Sequence, residues 1–147
     1  MRKILIILLL LPFVFSCTEV TLVEPIAGGP SIEFIDVQPR TIKEFKDSIV
    51  ITISYKDPDG DLGHVDPDIN LMSVHDLRLK NADSYHIPLL APSNSNITLE
   101  GTLEIKLKNT FLLGSGADEQ TSYEIVMSDR AGNASNPIVT EPVTITK

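Results

Sequence analysis

The sequence predicts an all-β domain, a two-sheet sandwich of about seven strands, and three observations predict it. Apolar residues from Ser31 onward recur with period two rather than 3.6. Turn residues interrupt that alternation at short intervals, and no stretch after residue 17 carries the pattern of a long amphipathic helix. Period two places successive side chains on opposite faces of a strand, so each run offers one apolar face. Many short strands of this kind bury those faces by packing one sheet on another.

The expected strands lie near 31–38, 48–55, 69–79, 84–90, 97–108, 122–129 and 137–146. In the second, Ile49, Ile51, Ile53 and Tyr55 alternate with Val50, Thr52 and Ser54. In the fifth, Leu103, Ile105 and Leu107 alternate with Glu104, Lys106 and Lys108; in the sixth, Tyr123, Ile125 and Met127 alternate with Glu124, Val126 and Ser128. Turns are expected at Asp57-Pro58-Asp59-Gly60, Ala91-Pro92-Ser93-Asn94, Gly114-Ser115-Gly116 and Ala131-Gly132-Asn133.

Ahead of the strands the chain has a different character. Arg2 and Lys3 precede an apolar run from Ile4 to Phe15, too short for a helix to span a bilayer. Val14-Phe15-Ser16-Cys17 follows, and it resembles the lipobox of a bacterial lipoprotein. The resemblance implies a signal peptide over 1–16, cleavage before Cys17, and acylation of Cys17 as the membrane anchor. Cys17 is the chain's one cysteine, so it has no partner for an internal disulfide. Residues 17–30, with Pro25 and the Gly28-Gly29-Pro30 breaker, read as a flexible tether, and 31–147 as a single domain. Glu19 is similar to the acidic residues that some Bacteroidetes-type lipoproteins carry near the acylated cysteine to reach the cell surface. The implied location is the cell envelope, anchored in the outer membrane, with either face open.

Tyr123 to Asn136, containing Asp129-Arg130-Ala131-Gly132-Asn133-Ala134-Ser135, followed by Ile138 to Thr146, resembles the last two strands of bacterial immunoglobulin-like and fibronectin type III-like modules. Tyr55 to Gly63 (YKDPDGDLG) resembles a strand exit in small Bacteroidetes-type lipoproteins, mostly uncharacterised. The resemblance implies an immunoglobulin-like sandwich in which Tyr123 is the corner tyrosine, its ring in the core and its hydroxyl bonded back to the preceding loop.

The candidate site is acidic. Asp57, Asp59, Asp61, Asp66 and Asp68 lie within twelve residues together with His64 and without lysine or arginine. Carboxylates this close repel unless a cation or solvent screens them. Their spacing partly matches a helix–loop–helix calcium loop, but Leu62 stands where that loop needs glycine and no helices flank it, so that class is rejected. In a sandwich the loop after the second strand shares an end with the loop between the last two. Asp57, Asp59 and Asp61 would then meet Asp129 and Asn133 in an oxygen-rich calcium cage. The alternative is an ordinary acidic turn, its aspartates capping backbone amides, with Asp129 pairing with Arg130 or capping its own turn.

Other classes are disfavoured. His64, His75 and His86 have no metal-motif spacing, and no nucleophile elbow or phosphate-binding glycine loop is present, so a non-enzymatic protein is expected. A metal-dependent hydrolase using His64 with the aspartates is the enzymatic alternative. The chain's formal charge is −8, and losing Arg2 and Lys3 would make it −10, which disfavours nucleic acid. Glycan binding is disfavoured too, because the chain has no tryptophan and Tyr55 and Tyr123 sit at inward-facing positions. An unidentified protein partner is the expectation, with an accessory role in a surface nutrient-uptake complex as the alternative.

Overall fold

A computed structural model describes residues 28–92 and 96–147. The signal segment 1–16, Cys17, most of the tether, and Ser93 and Asn94 of one expected turn lie outside the described residues. Among the described residues there is no helix, and ten strands account for the regular structure. They are β1 (Ser31–Gln38), β2 (Thr41–Lys43), β3 (Ile49–Asp57), β4 (Met72–Asp76), β5 (Asp83–Tyr85), β6 (Leu99–Leu107), β7 (Asp118–Thr121), β8 (Tyr123–Met127), β9 (Ile138–Val139) and β10 (Val143–Thr146). Three sheets form, in the orders β1-β3-β6, β2-β10-β7 and β5-β4-β8-β9, arranged as an open sandwich.

β3 is the spine of the first sheet. Its β-branched alternation suits a strand paired on both edges. It pairs antiparallel with β6 from Ile49 opposite Leu107 to Asp57 opposite Leu99, and with β1 from Val50 opposite Gln38 to Lys56 opposite Ser31. A bulge between Phe34 and Asp36 offsets the β1 register. Ile49, Ile51 and Ile53 are fully buried. Val74 of β4, Ile125 and Met127 of β8, Ile42 of β2 and Ile145 of β10 join them in one core. That core draws on all three sheets, so none of them is a separate unit.

The seven expected runs become ten strands for local reasons. The expected strand over 137–146 splits into β9 and β10. Pro142 has no N–H to donate, and Thr140 turns inward, donating its N–H to the Tyr123 carbonyl at 2.9 Å and accepting from Tyr123 N at its Oγ1 at 3.0 Å. β7 and β8 follow one another across Ser122 but take different partners, β10 and β9. β2 has three residues, only Ile42 of them buried, so it carries no period to detect; it pairs parallel with β10. The expected 69–79 and 84–90 strands shorten to β4 and β5, and Ile87 instead receives the N–H of His64 at 2.8 Å.

Tyr123 is buried as expected, but its hydroxyl makes no hydrogen bond. The corner bond is not formed, and burial, with Asp76 adding to it, pushes the phenol well above its ordinary range. The groups beside it satisfy one another instead. Arg78 binds Asp76 Oδ2 at 2.7 Å and Glu119 Oε2 at 2.9 Å, and Thr121 Oγ1 donates to Asp76 Oδ1 at 2.5 Å. Glu119 also accepts the N–H groups of Leu113 and Gly114, so this cluster ties the β4 exit to β7 and the 112–116 loop.

Burial alone would raise the Asp76 carboxyl, but its bonds from Arg78 and Thr121 outweigh that and hold it below the usual range. The Leu113 and Gly114 amides, with Arg78, lower Glu119 likewise. Carboxyls depressed in the fold stabilise it above their unfolded pKa, and that stability disappears as pH falls through the folded values. The thermal midpoint should therefore drop as pH is lowered below about 4. Arg78→Met, which leaves Asp76 and Glu119 facing each other, should lower the midpoint at pH 7 by roughly 5–10 °C and flatten that acid limb. Circular dichroism melts between pH 3 and 7 check both; an unchanged midpoint in the variant would assign the cluster no role in stability.

Candidate metal site

Asp57 is the last residue of β3, and strand parity determines where it points. Ile49, Ile51 and Ile53 face inward, so Asp57 at the same parity does too, and it is fully buried. Pro58 then ends the ladder, and the chain doubles back through Gly60 at a φ of 77°. Gly60 lies against the backbone of Ile97, where a Cβ would come within 2.1 Å of the carbonyl oxygen. Gly63 lies equally close to Pro88, with 2.2 Å from a Cβ to its carbonyl oxygen. Thr98 Oγ1 donates to the Pro58 carbonyl at 3.0 Å, and Leu62 is buried in the core. The loop is therefore clamped on both sides.

This turn brings carboxylate oxygens of Asp57, Asp59 and Asp61 within 4.8 Å of one another. Asp57 Oδ2 accepts the Leu62 N–H at 2.8 Å, and Asp61 Oδ2 accepts the Ala131 N–H at 3.1 Å. The Oδ1 atom of each of the three is buried with no hydrogen-bond partner. None of the three forms an ion pair among the described residues. Burial foremost, then the adjoining Asp59 carboxyl through side-chain hydrogen bonding and charge, and the charge of Asp61, push the Asp57 carboxyl up to about 6 against the Leu62 amide. Burial, then Asp129 and Asp59, raise Asp61 despite the Ala131 amide and Arg130.

The two expected loops do meet. Arg130 N donates to the Asp61 carbonyl at 3.3 Å, and Arg130 Nη1 to the Gly63 carbonyl at 2.8 Å. Asp129, also buried, approaches Asp61 closely enough to raise its pKa. Its two oxygens, however, accept from Asn133 N at 2.7 Å and Asn133 Nδ2 at 2.8 Å. Asp129 and Asn133 thus close their own turn. Three of the five expected ligands converge, and the other two stand behind them as a bonded pair.

The rest of the acidic loop is ordinary. Asp66 and Asp68 are exposed; Asp68 N donates to Asp66 Oδ1, and Asp66 N to His64 Nδ1, each at 3.0 Å. His75 and His86 bond the carbonyls of Leu79 and Ile69. Among the described residues, the group of histidine, aspartate and glutamate side chains close enough to share a metal ion is Asp57, Asp59 and Asp61.

Two features escape the sequence reading. Tyr55 is half-buried rather than enclosed, and it lines a groove of about 310 Å³ with Glu33, Lys56 and Glu100. Gly101 makes room for its hydroxyl, which a Cβ there would meet at 2.8 Å. A lone glycine inside an alternating strand is the signal that marks such a close approach. Phe45 is 67% exposed and stacks parallel on Phe111 with ring centroids 5.9 Å apart.

Comparison of the chain with protein-family models, with curated proteins and with solved structures finds no match.

Two substitutions test this geometry. With chelator present at pH 7, Asp57→Asn should raise the thermal midpoint by a few degrees, because it removes the buried member of three crowded carboxylates and keeps an acceptor for Leu62 N. A lower midpoint would show that the charge is not a burden on the metal-free fold. Gly60→Ala should lower the midpoint by roughly 4–10 °C, reflecting about 1–3 kcal/mol of backbone strain. A neutral outcome would mean that the loop is not clamped against Ile97.

Proposed function

We propose that the chain is a lipid-anchored, non-enzymatic envelope protein that presents an immunoglobulin-like sandwich for binding or structural roles. The observation that carries the anchoring is the position of the one cysteine, at the end of a short apolar run preceded by Arg2 and Lys3. Cleavage before Cys17 leaves a tether of thirteen residues, 18–30, which at full extension reaches about 45 Å. That distance holds the domain clear of a bilayer surface. Each buried acyl methylene contributes about 0.8 kcal/mol, and two or more acyl chains would make such an anchor durable.

The strand order supports the immunoglobulin-like reading. The orders β1-β3-β6 and β4-β8-β9 resemble the A-B-E and C-F-G orders of an immunoglobulin-like sandwich, while β10 lies with β2 and β7 in the third sheet. β2 lies parallel to the last strand at the far edge, and β5 extends the second layer beyond β4. The acidic surface favours a protein partner over nucleic acid. The exposed Phe45 is one aromatic face on a chain without tryptophan, too little to favour glycan stacking.

Metabolic labelling with palmitate in a Gram-negative host tests the anchor. The full-length chain should incorporate label, and Cys17→Ser should abolish it. Inhibition of the lipoprotein signal peptidase should cause unprocessed precursor to accumulate. An unlabelled wild-type chain, or processing that ignores the inhibitor, would overturn the lipoprotein reading.

A further inference from the structure

We propose that Asp57, Asp59 and Asp61 form a calcium site that locks the β3–β4 loop to the turn between β8 and β9. The site stands independently of whether Cys17 is acylated.

Three features lead to it. Asp57 is fully buried and leaves its Oδ1 atom without any donor, an expensive arrangement unless something positive occupies that side. Asp59 and Asp61 each carry a buried Oδ1 atom without a hydrogen-bond partner as well. Oxygens of the three residues lie within 4.8 Å of one another, and two oxygens on one calcium at about 2.4 Å can be no farther apart than about 4.8 Å.

The surroundings specify the class of ion. The donors are all carboxylate oxygens, which suits a hard cation and not a metal that prefers imidazole or thiolate. Among the described residues no protein cation pairs with them instead: Arg130, whose charge acts on Asp61, directs its Nη1 to the Gly63 carbonyl. Calcium tolerates an incomplete and irregular set of protein ligands, whereas magnesium demands a near-ideal octahedron.

The hydrogen bonds also limit the affinity. Leu62 N and Ala131 N each occupy one oxygen of Asp57 and Asp61, which favours a single oxygen from each residue toward the ion. Calcium takes six to eight oxygens, so water or backbone carbonyls must complete the shell, and a dissociation constant of roughly 10⁻⁴–10⁻³ M follows, the range of extracellular modules. Asp129 adds negative charge behind Asp61 while Asn133 keeps it bonded in its own turn. Because Asp61 already accepts from Ala131 N and Arg130 N, an ion on Asp61 stabilises both loops together.

The test is thermal unfolding of the full-length chain in mild detergent, stripped with chelator and returned to about 10 mM CaCl2, MgCl2, or NaCl of matched ionic strength. Calcium alone should raise the midpoint by several degrees. Asp59→Asn/Asp61→Asn should abolish the shift, while Asp66→Asn/Asp68→Asn, which removes as much charge from the exposed part of the same loop, should retain it. If the first double variant does not fold, Asp59→Asn alone should still reduce the calcium shift. No calcium shift in the wild type would overturn the site. An equal shift with NaCl, or an equal loss in both double variants, would replace it with diffuse screening, and an equal shift with magnesium would overturn the choice of calcium.

Discussion

The parity of β3 is the constraint on which the rest of the molecule depends. One strand, paired along its whole length with β6 and over most of it with β1, points every second side chain inward. Three isoleucines at that parity build the core, and the same rule carries Asp57 into the interior two residues after Tyr55. A one-residue slip would exchange both sets at once, exposing the isoleucines along with the aspartate. The apolar burial of Ile49, Ile51 and Ile53, about 2 kcal/mol for each fully enclosed side chain, therefore holds a carboxylate where it would not otherwise stay. Stability of the sheet and charge at its end are one problem.

The fold manages buried charge in two different ways. Beside β7, Arg78 supplies the positive partner directly to Asp76 and Glu119, and Thr121 and two backbone amides complete the network. At the end of β3 the backbone brings carboxylates together and provides amides for only part of their capacity. The first arrangement is complete within the protein. The second leaves three oxygens without a partner, the opening that the proposed ion would fill, and glycines at 60 and 63 that pack directly on Ile97 and Pro88 hold it in place. A clamped loop reduces the ordering cost of capturing such an ion.

Much of this was legible in the sequence where the period was long enough to count. β1 coincides with its expected span, and β3, β6 and β8, which alternate over five residues or more, fall within a few residues of theirs. β2 and β7 are too short for a period to appear, and their pairing with β10 is decided by distant parts of the chain. Pro142 marked the break between β9 and β10, yet the inward turn of Thr140 toward Tyr123 is a tertiary contact with no local signal. At the site, the spacing of Asp57, Asp59 and Asp61 was enough to bring them together. The pairing of Asp129 with Asn133 is a local turn cap, and it competes with the longer-range cage that their position in a sandwich suggests. The hydroxyl of Tyr123 lacks the corner bond because its surroundings are already satisfied among Asp76, Arg78 and Thr121.

The most direct measurement is a crystal structure of the full chain grown in CaCl2, with the difference density at the end of β3 inspected for an ion. The account predicts one peak bonded at about 2.3–2.6 Å to an oxygen from each of Asp57, Asp59 and Asp61, with the Leu62 and Ala131 amides still on the opposite oxygens. A fully buried Asp57 surrounded only by protein donors, or three carboxylates splayed into solvent, would contradict it.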